Sequence, residues 1–409
     1  MWRLGFFFHE MGFGLLSIFL PLYVIAIGGS LAEIGIMAAS ALFMAIPASF
    51  LWGYVCDKTK HYKRYVLLSF LTSTIILYLF TLTTNLGLLI IMYAVMSFLH
   101  IAHEPPKNVL IAELYSHKDW KRSFAFYEGF TEAGWLIGLV LGFLTSAYPA
   151  VFSFQILDVK TLPLLLCSVL NLIAFCLSLI LVTDPLFVFE RGLVNLEKSV
   201  DFACHGVFLA SRLLGGEIVS EKLRKENLGA FCFGLALFSL ATSILFTPMP
   251  IFVSNIVRAA ALPSSIVFAI FVLNSGGGVL GYLLAGACSE GRAGKAAIGR
   301  VVILRSFLSF LLVVVLQFPA FNVMFVTTIL ILMGFGYAIF LVYVLSLSME
   351  LIPSGKTGLF NALIGVGGAC GSFIGPFLAQ TFGSLGFTYV FVTAGTLFLV
   401  SYVAFRVLM

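Results

Sequence analysis

The chain has 409 residues, of which 61% are hydrophobic and 10% charged, against roughly 45–50% and 25% in soluble globular domains. A water-soluble fold could not hide that apolar surplus, whereas a chain facing lipid need not. The formal charge of +5, from 23 Lys and Arg over 18 Asp and Glu, gives no nucleic-acid reading, and the bilayer is the expected solvent.

A bilayer crossing takes about 20 apolar residues. Cutting the hydrophobic runs at Gly, Pro and charge clusters predicts twelve spans, at 4–27, 31–55, 65–84, 86–114, 122–147, 160–183, 228–253, 264–288, 299–318, 322–351, 358–382 and 385–407. The fold class read from this is an all-α membrane protein. It has an N-terminal six-helix bundle (1–183), a cytoplasmic amphipathic linker (184–227) and a C-terminal six-helix bundle (228–409). Within the linker, Leu186 to Phe189 and Val207 to Leu209 alternate with Arg191, Lys198 and Arg212, as expected of a helix lying on the inner leaflet and not of a catalytic domain. Only Met1, Trp2 and Arg3 precede the first span, which predicts no cleaved signal peptide. Seven scattered cysteines (Cys56, Cys167, Cys176, Cys204, Cys232, Cys288, Cys370) form no C-x-x-C pair. They read as small core residues, not as a disulfide frame or a metal site.

Lys and Arg collect on one side of the alternating loops. That side takes Arg3; Lys58, Lys60, Lys63 and Arg64; Lys118, Lys121 and Arg122; six in the central stretch; Arg292, Lys295, Arg300 and Arg305; Lys356; and Arg406, with Lys160 and Arg258 opposite and Lys107 within a span. Cytoplasmic loops retain positive charge, so both termini and the linker are expected in the cytoplasm, with the protein in the cell membrane.

Charges inside spans are costly and are functional candidates by default. Span 1 carries His9 and Glu10. Span 4 carries His100, His103, Glu104 and Lys107, whose i, i+3, i+4, i+7 spacing sets all four on one face, in line with Tyr93 and Met96. Pro105 and Pro106 remove two backbone donors, predicting a kink that offers free carbonyls to a cavity. Span 5 carries Glu128 and Glu132, one turn apart and off the glycine stripe. Three uses compete for this set. Glu10, Glu104, Glu128 or Glu132 could take up and release a proton as access alternates. Alternatively, Lys107 and the histidines could form a cationic pocket for an anion, or Glu104 and Lys107 could be a structural ion pair. His9 by itself reads as a helix-packing histidine.

The C-terminal half reads as almost free of intramembrane charge, with a neutral lining. Candidates are Thr242, Ser243 and Thr247 in span 7, Asn274 and Ser275 in span 8, Tyr337 and Tyr343 in span 10, and Asn361 in span 11. Gly276, Gly277 and Gly278 lack the Gly-Lys-Ser/Thr of a phosphate loop and predict bending or close packing.

The halves repeat one another. Gly53-x-x-x-Asp57 followed by Lys58 returns 233 residues on as Gly286-x-x-x-Glu290 followed by Arg292. Glu113 and Gly134-x-x-x-Gly138 return 237 residues on as Glu350 and Gly371-x-x-x-Gly375. Small residues every fourth position let helix backbones approach, so spans 5 and 11 are expected to pack through their glycine faces.

These residues resemble the major facilitator superfamily of secondary transporters, over essentially the whole chain. The family's signature after span 2 is matched by Gly53, Asp57, Lys58, Lys63 and Arg64, and more weakly by Gly286, Glu290, Arg292 and Lys295. The chain departs from it by carrying Lys60 where the family usually has a second glycine. The resemblance implies that the two acids and their cations latch a cytoplasmic gate by charge-assisted bonds. It also implies that spans 1, 4, 7 and 10 line a central cavity, placing Glu10, the span 4 stripe, Thr242 and Tyr337 near substrate. Drug–proton antiporters of the superfamily usually carry an arginine where this chain has Tyr93, and a Gly-Pro pair in span 5, which here appears as Gly375-Pro376 in span 11; both differences weaken a drug-efflux reading.

The expectation is a monomeric secondary transporter of a small organic solute, with protons and the lipid bilayer as its other partners and no cofactor or metal. Multidrug efflux and anion uniport or exchange without protons are the alternatives. The chain lacks H-E-x-x-H, a nucleophile elbow, a Walker loop and zinc-ligand spacing near a span end, which argues against an enzyme. A channel is disfavoured by the internal repeat. A receptor built on a transporter fold would bind solute without moving it.

Overall fold

A computed structural model describes residues 2–114, 120–148, 161–184, 228–287, 292–318, 322–351 and 357–406. Among these every regular element is helical. The first half comprises α1 (Arg3–Ala26), α2 (Leu31–Thr59), α3 (Tyr62–Phe80), α4 (Leu86–His100), α5 (Glu104–Leu114), α6 (Trp120–Ala147) and α7 (Leu162–Leu181). The second comprises α8 (Leu228–Phe246), α9 (Met249–Ala259), α10 (Ser265–Ala287), α11 (Arg292–Val315), α12 (Asn322–Leu351), α13 (Thr357–Thr381) and α14 (Gly386–Arg406). Twelve stretches are long and apolar enough to cross a bilayer, α4 with the start of α5 and α8 with α9 each making one. The protein is an integral multi-pass membrane protein. The expected linker lies outside the described residues except for Asp184, as do Glu290 and the side chains of Asp57, Arg292 and Asn361.

Local chemistry sets the helix starts. Ser30 and Glu33 form a reciprocal capping box at α2, and Asn85 Oδ1 accepts from the Leu88 N–H at 3.1 Å to start α4, each meeting a donor the first turn leaves unpaired. The break in span 4 falls upstream of its prolines. α4 stops at His100, a three-residue 3-10 turn covers Ile101–His103, and α5 begins at Glu104, so Pro105 and Pro106 sit in a first turn, where a missing N–H costs little. The carbonyl of His100 accepts from Ser69 Oγ at 2.8 Å and from His103 Nδ1 at 2.6 Å. The Ile101 carbonyl, which Pro105 would leave free in an unbroken helix, accepts from the Glu104 N–H.

Within the first half α1 packs on α6 and α7, α3 on α4 and α7, and α2 on α4. Within the second, α8 packs on α13 and α14, α10 on α12, and α11 on α12 and α14. Two seams join the halves, α2 with α13 and α6 with α10. The glycine faces of spans 5 and 11 are used as expected, each against the first span of its own half. Gly134 and Gly138 abut the backbone of Phe7 and Met11, and Gly371 and Gly375 abut that of Leu240 and Ile244. Phe7 and Leu240, like Met11 and Ile244, are 233 positions apart, so the sequence repeat returns as a repeated contact. In lipid, where burial of apolar surface no longer drives helices together, such backbone approach supplies the dispersion contacts. Gly277 and Gly281 likewise close on the backbone of Ile331 and Phe335 in α12, and the triple glycine serves close packing.

Candidate functional site

α1, α4, the 3-10 turn after it and α7 bring the histidines together. His9 is fully buried and donates from Nδ1 to Asn171 Oδ1 at 2.6 Å, while Asn171 Nδ2 donates to the carbonyl of Cys167 at 2.8 Å and so fixes the amide. The His9 ring shares a hydrogen bond at Nε2 with His100 Nδ1, 3.1 Å away. It also stacks on Phe70 with ring centres 4.2 Å apart, the helix-packing role expected of it. One nitrogen from each of His9, His100 and His103 falls within 4.8 Å of the others. Hydrogen bonds already hold His9 at both ring nitrogens and His100 and His103 at Nδ1.

The break after His100 aims the start of α5 at α6. Lys107 Nζ lies 2.6 Å from Glu104 Oε2 and 4.0 Å from Glu128 Oε1, and 5.7 Å from the centre of the Tyr127 ring. His103 Nε2 stands 3.4 Å from Glu104 Oε1. The Lys107, Glu104 and Glu128 side chains are 13%, 25% and 21% exposed. Breaking a fully desolvated pair strands a charge at a cost of about 3–5 kcal/mol, and this partial exposure lowers that figure. Glu10 makes no hydrogen bond or ion pair among the described residues, but it lies within electrostatic reach of Lys107, Glu104, Glu128 and Glu132. Glu132 crosses the seam: Ser275 Oγ of α10 donates to its Oε1 at 2.5 Å. Tyr93 stays apart, packed against the apolar core with its ring 6.5 Å from that of Phe80.

The other candidates divide. Asn274 Nδ2 donates to the carbonyl of Leu330 at 2.5 Å, holding α10 to α12, and Thr247 Oγ1, just past α8, donates to Ser372 Oγ of α13 at 3.0 Å. Thr242 Oγ1 is buried without a partner among the described residues. Tyr343 packs against the core, and Tyr337 on α12 is 37% exposed.

In the gate region, Lys58 Nζ sits 5.7 Å from the centre of the Tyr54 ring. Arg64 is exposed, and Gly53 faces open space. The Lys63 N–H donates to Asp184 Oδ1 at 2.8 Å, a contact that spacing along the chain does not announce. Lys60 closes α2 at φ 55, the left-handed conformation that a glycine would adopt without strain. Gly286 meets Ala125 in the α6–α10 seam.

One sequence expectation is overturned. Arg305 was grouped with the loop cations, yet it lies in α11 with 1% exposure, so the C-terminal half does hold an intramembrane charge. Its guanidinium carbon is 5.1 Å from the ring centre of Phe238, 5.2 Å from Phe398, 5.3 Å from Tyr337 and 5.4 Å from Phe246. Each such contact stabilises a desolvated cation by up to about 2 kcal/mol. Its place in the run 299–318, six residues past the start, was the signal available in the sequence.

Twelve bilayer-length stretches in two like halves, with ionisable side chains inside the spans, point to a membrane transporter. The chain matches the model of the Major Facilitator Superfamily over residues 4–367 and belongs to that family; it is a transporter, not an enzyme. Among solved structures it is similar to the nucleoside transporter NupG, in a point-mutant form (TM-score 0.71) and in an unsubstituted form (0.68), each at 15% identity with 100% of this chain and 98% of that one covered. It is also similar to a POT family transporter in complex with a thioalcohol-conjugated peptide, with a TM-score of 0.68 at 14% identity, covering 99% of this chain and 94% of that one. At such identities the likeness speaks for the fold. A search of curated proteins finds no match.

Proposed function

We propose that the chain is a proton-coupled secondary transporter that moves a small organic solute by alternating access. In this reading it works as a monomer in the cell membrane with both termini cytoplasmic. The bodies that rock are 1–183 and 228–409, joined by the amphipathic stretch 184–227. Gly53, Asp57, Lys58 and Arg64, with Gly286, Glu290 and Arg292, latch the cytoplasmic side.

The observation that carries this reading is the position of Glu132. Its carboxylate accepts the Ser275 hydroxyl across the α6–α10 seam, and Glu128 and Glu10 lie within electrostatic reach of it. A carboxylate only accepts hydrogen bonds, whereas a carboxylic acid has a proton to donate. Loading a proton therefore changes a contact between the halves. Coupling needs such a difference, because a ligand shifts a conformational equilibrium only by as much as its binding differs between the two states. An anion uniporter or exchanger built on Lys107 and His103 is the second reading, but Glu104 already occupies Lys107 at 2.6 Å. Drug efflux finds no support at Tyr93, which is spent on packing.

Purified protein in liposomes loaded with a pH-sensitive dye, offered sugars, organic anions and lipophilic cations, tests the reading. A solute-dependent pH change is expected, lost in Glu132→Gln while solute exchange persists. Solute flux with no pH change would overturn proton coupling and restore the anion reading.

A further inference from the structure

We propose that Arg305 is the seat of an oxyanion, a carboxylate or phosphate group carried by the transported solute. The proposal rests on the transporter reading and adds a substrate class to it. Arg305 stands thirteen residues into α11, about 20 Å along the helix from its first residue at 1.5 Å per residue. From residue 228 onward the chain contains two acids, Glu290 and Glu350, at the ends of spans 8 and 10. Four rings from α8, α12 and α14 surround the guanidinium, yet its Nε and Nη1 are buried with no hydrogen-bond partner among the described residues.

Aromatic faces stabilise a guanidinium through its charge but accept none of its N–H donors in ordinary hydrogen bonds. What is missing is a planar acceptor. The guanidinium fork presents paired donors whose spacing matches the two oxygens of a carboxylate or phosphate, and the surrounding rings would wall the apolar body behind such a group. Tyr337 supplies the way in. It is one of the four rings, it is 37% exposed, and it lies within electrostatic reach of Glu128 and Glu132 across the seam as well as of Arg305. Tyr337 is thus the most exposed ring of the four, and displacement of its ring would bring a solute's anionic end to Arg305.

Thermal unfolding of the purified protein, titrated at constant ionic strength with benzoate, neutral benzamide or inorganic phosphate and with chloride as the balance, tests the seat apart from transport. Saturable stabilisation by benzoate or phosphate and none by benzamide is expected. Arg305→Met should weaken half-saturation at least about tenfold, as loss of a charged hydrogen bond implies, and Arg305→Lys should fall between. Where Arg305→Met does not fold, Tyr337→Ala serves: removing the screening ring should lower the half-saturating concentration. No saturable anion effect, or one unmoved by these substitutions, overturns the proposal. In liposomes, anion binding without any flux would defeat the transporter reading and leave the seat standing. Flux of neutral solutes unaffected by Arg305→Met would do the reverse.

Discussion

In the N-terminal half Lys107 finds two carboxylates within 4.0 Å and three histidines are tied into one hydrogen-bonded group. In the C-terminal half Arg305 meets four aromatic rings and no acid among the described residues. The backbone tells the opposite story, for Gly134 and Gly138 press on α1 in the way that Gly371 and Gly375 press on α8. The contrast teaches which features the fold constrains. A glycine against a backbone tolerates no side chain, so both halves keep it, whereas the charged side chains take no part in that contact and differ between the halves.

Breaking the shared feature should have the largest effect. Gly138→Val and Gly375→Val each force a side chain into a facing backbone and should cost about 3 kcal/mol or more. Both should lower the melting temperature in detergent, and by similar amounts; a large inequality would mean that the repeat is not equivalent in packing. The charge difference is sharpened next by Lys107→Met, which strands Glu104. A loss of about 2 kcal/mol is expected, below the full cost for a buried pair because a quarter of Glu104 stays exposed. Adding Glu104→Gln should recover part of it in the same unfolding assay, and a simple sum of the two single effects would show that the pair is not coupled. The smallest effect concerns the turn after α2. Lys60→Gly relieves a left-handed residue and should raise stability by about 1 kcal/mol, detectable as a modest rise in melting temperature.

Much of the architecture was legible because a bilayer forces its signature on the sequence: the twelve runs are long, apolar and separated by charge, and the glycine spacing announced the close contacts. The partners of those contacts were not legible. Spacing identifies the face of a helix, and only three dimensions show that Gly138 meets Met11. The intramembrane carboxylates stood out because acids in apolar runs are rare, and the Glu104–Lys107 pair followed from its i, i+3 interval. Arg305 was missed because a cation near the end of a span looks the same in sequence whether it leaves the bilayer or turns inward. The contacts of Ser275 with Glu132 and of Asp184 with Lys63 join residues 143 and 121 positions apart, beyond the reach of any local pattern.

The two seams carry a mechanical consequence. Of the hydrogen bonds among the described residues, two cross between the halves, Ser275 to Glu132 and the Ala32 N–H to Gln380 Oε1 at 2.7 Å; the remainder is contact of the kind made by Gly35 with Pro376 or Gly129 with Tyr282. Dispersion varies gradually as surfaces slide, while a directional bond is lost over a fraction of an ångström. Under the proposed alternating access, rocking along such seams would be motion against low friction interrupted by two catches, one of them a carboxylate.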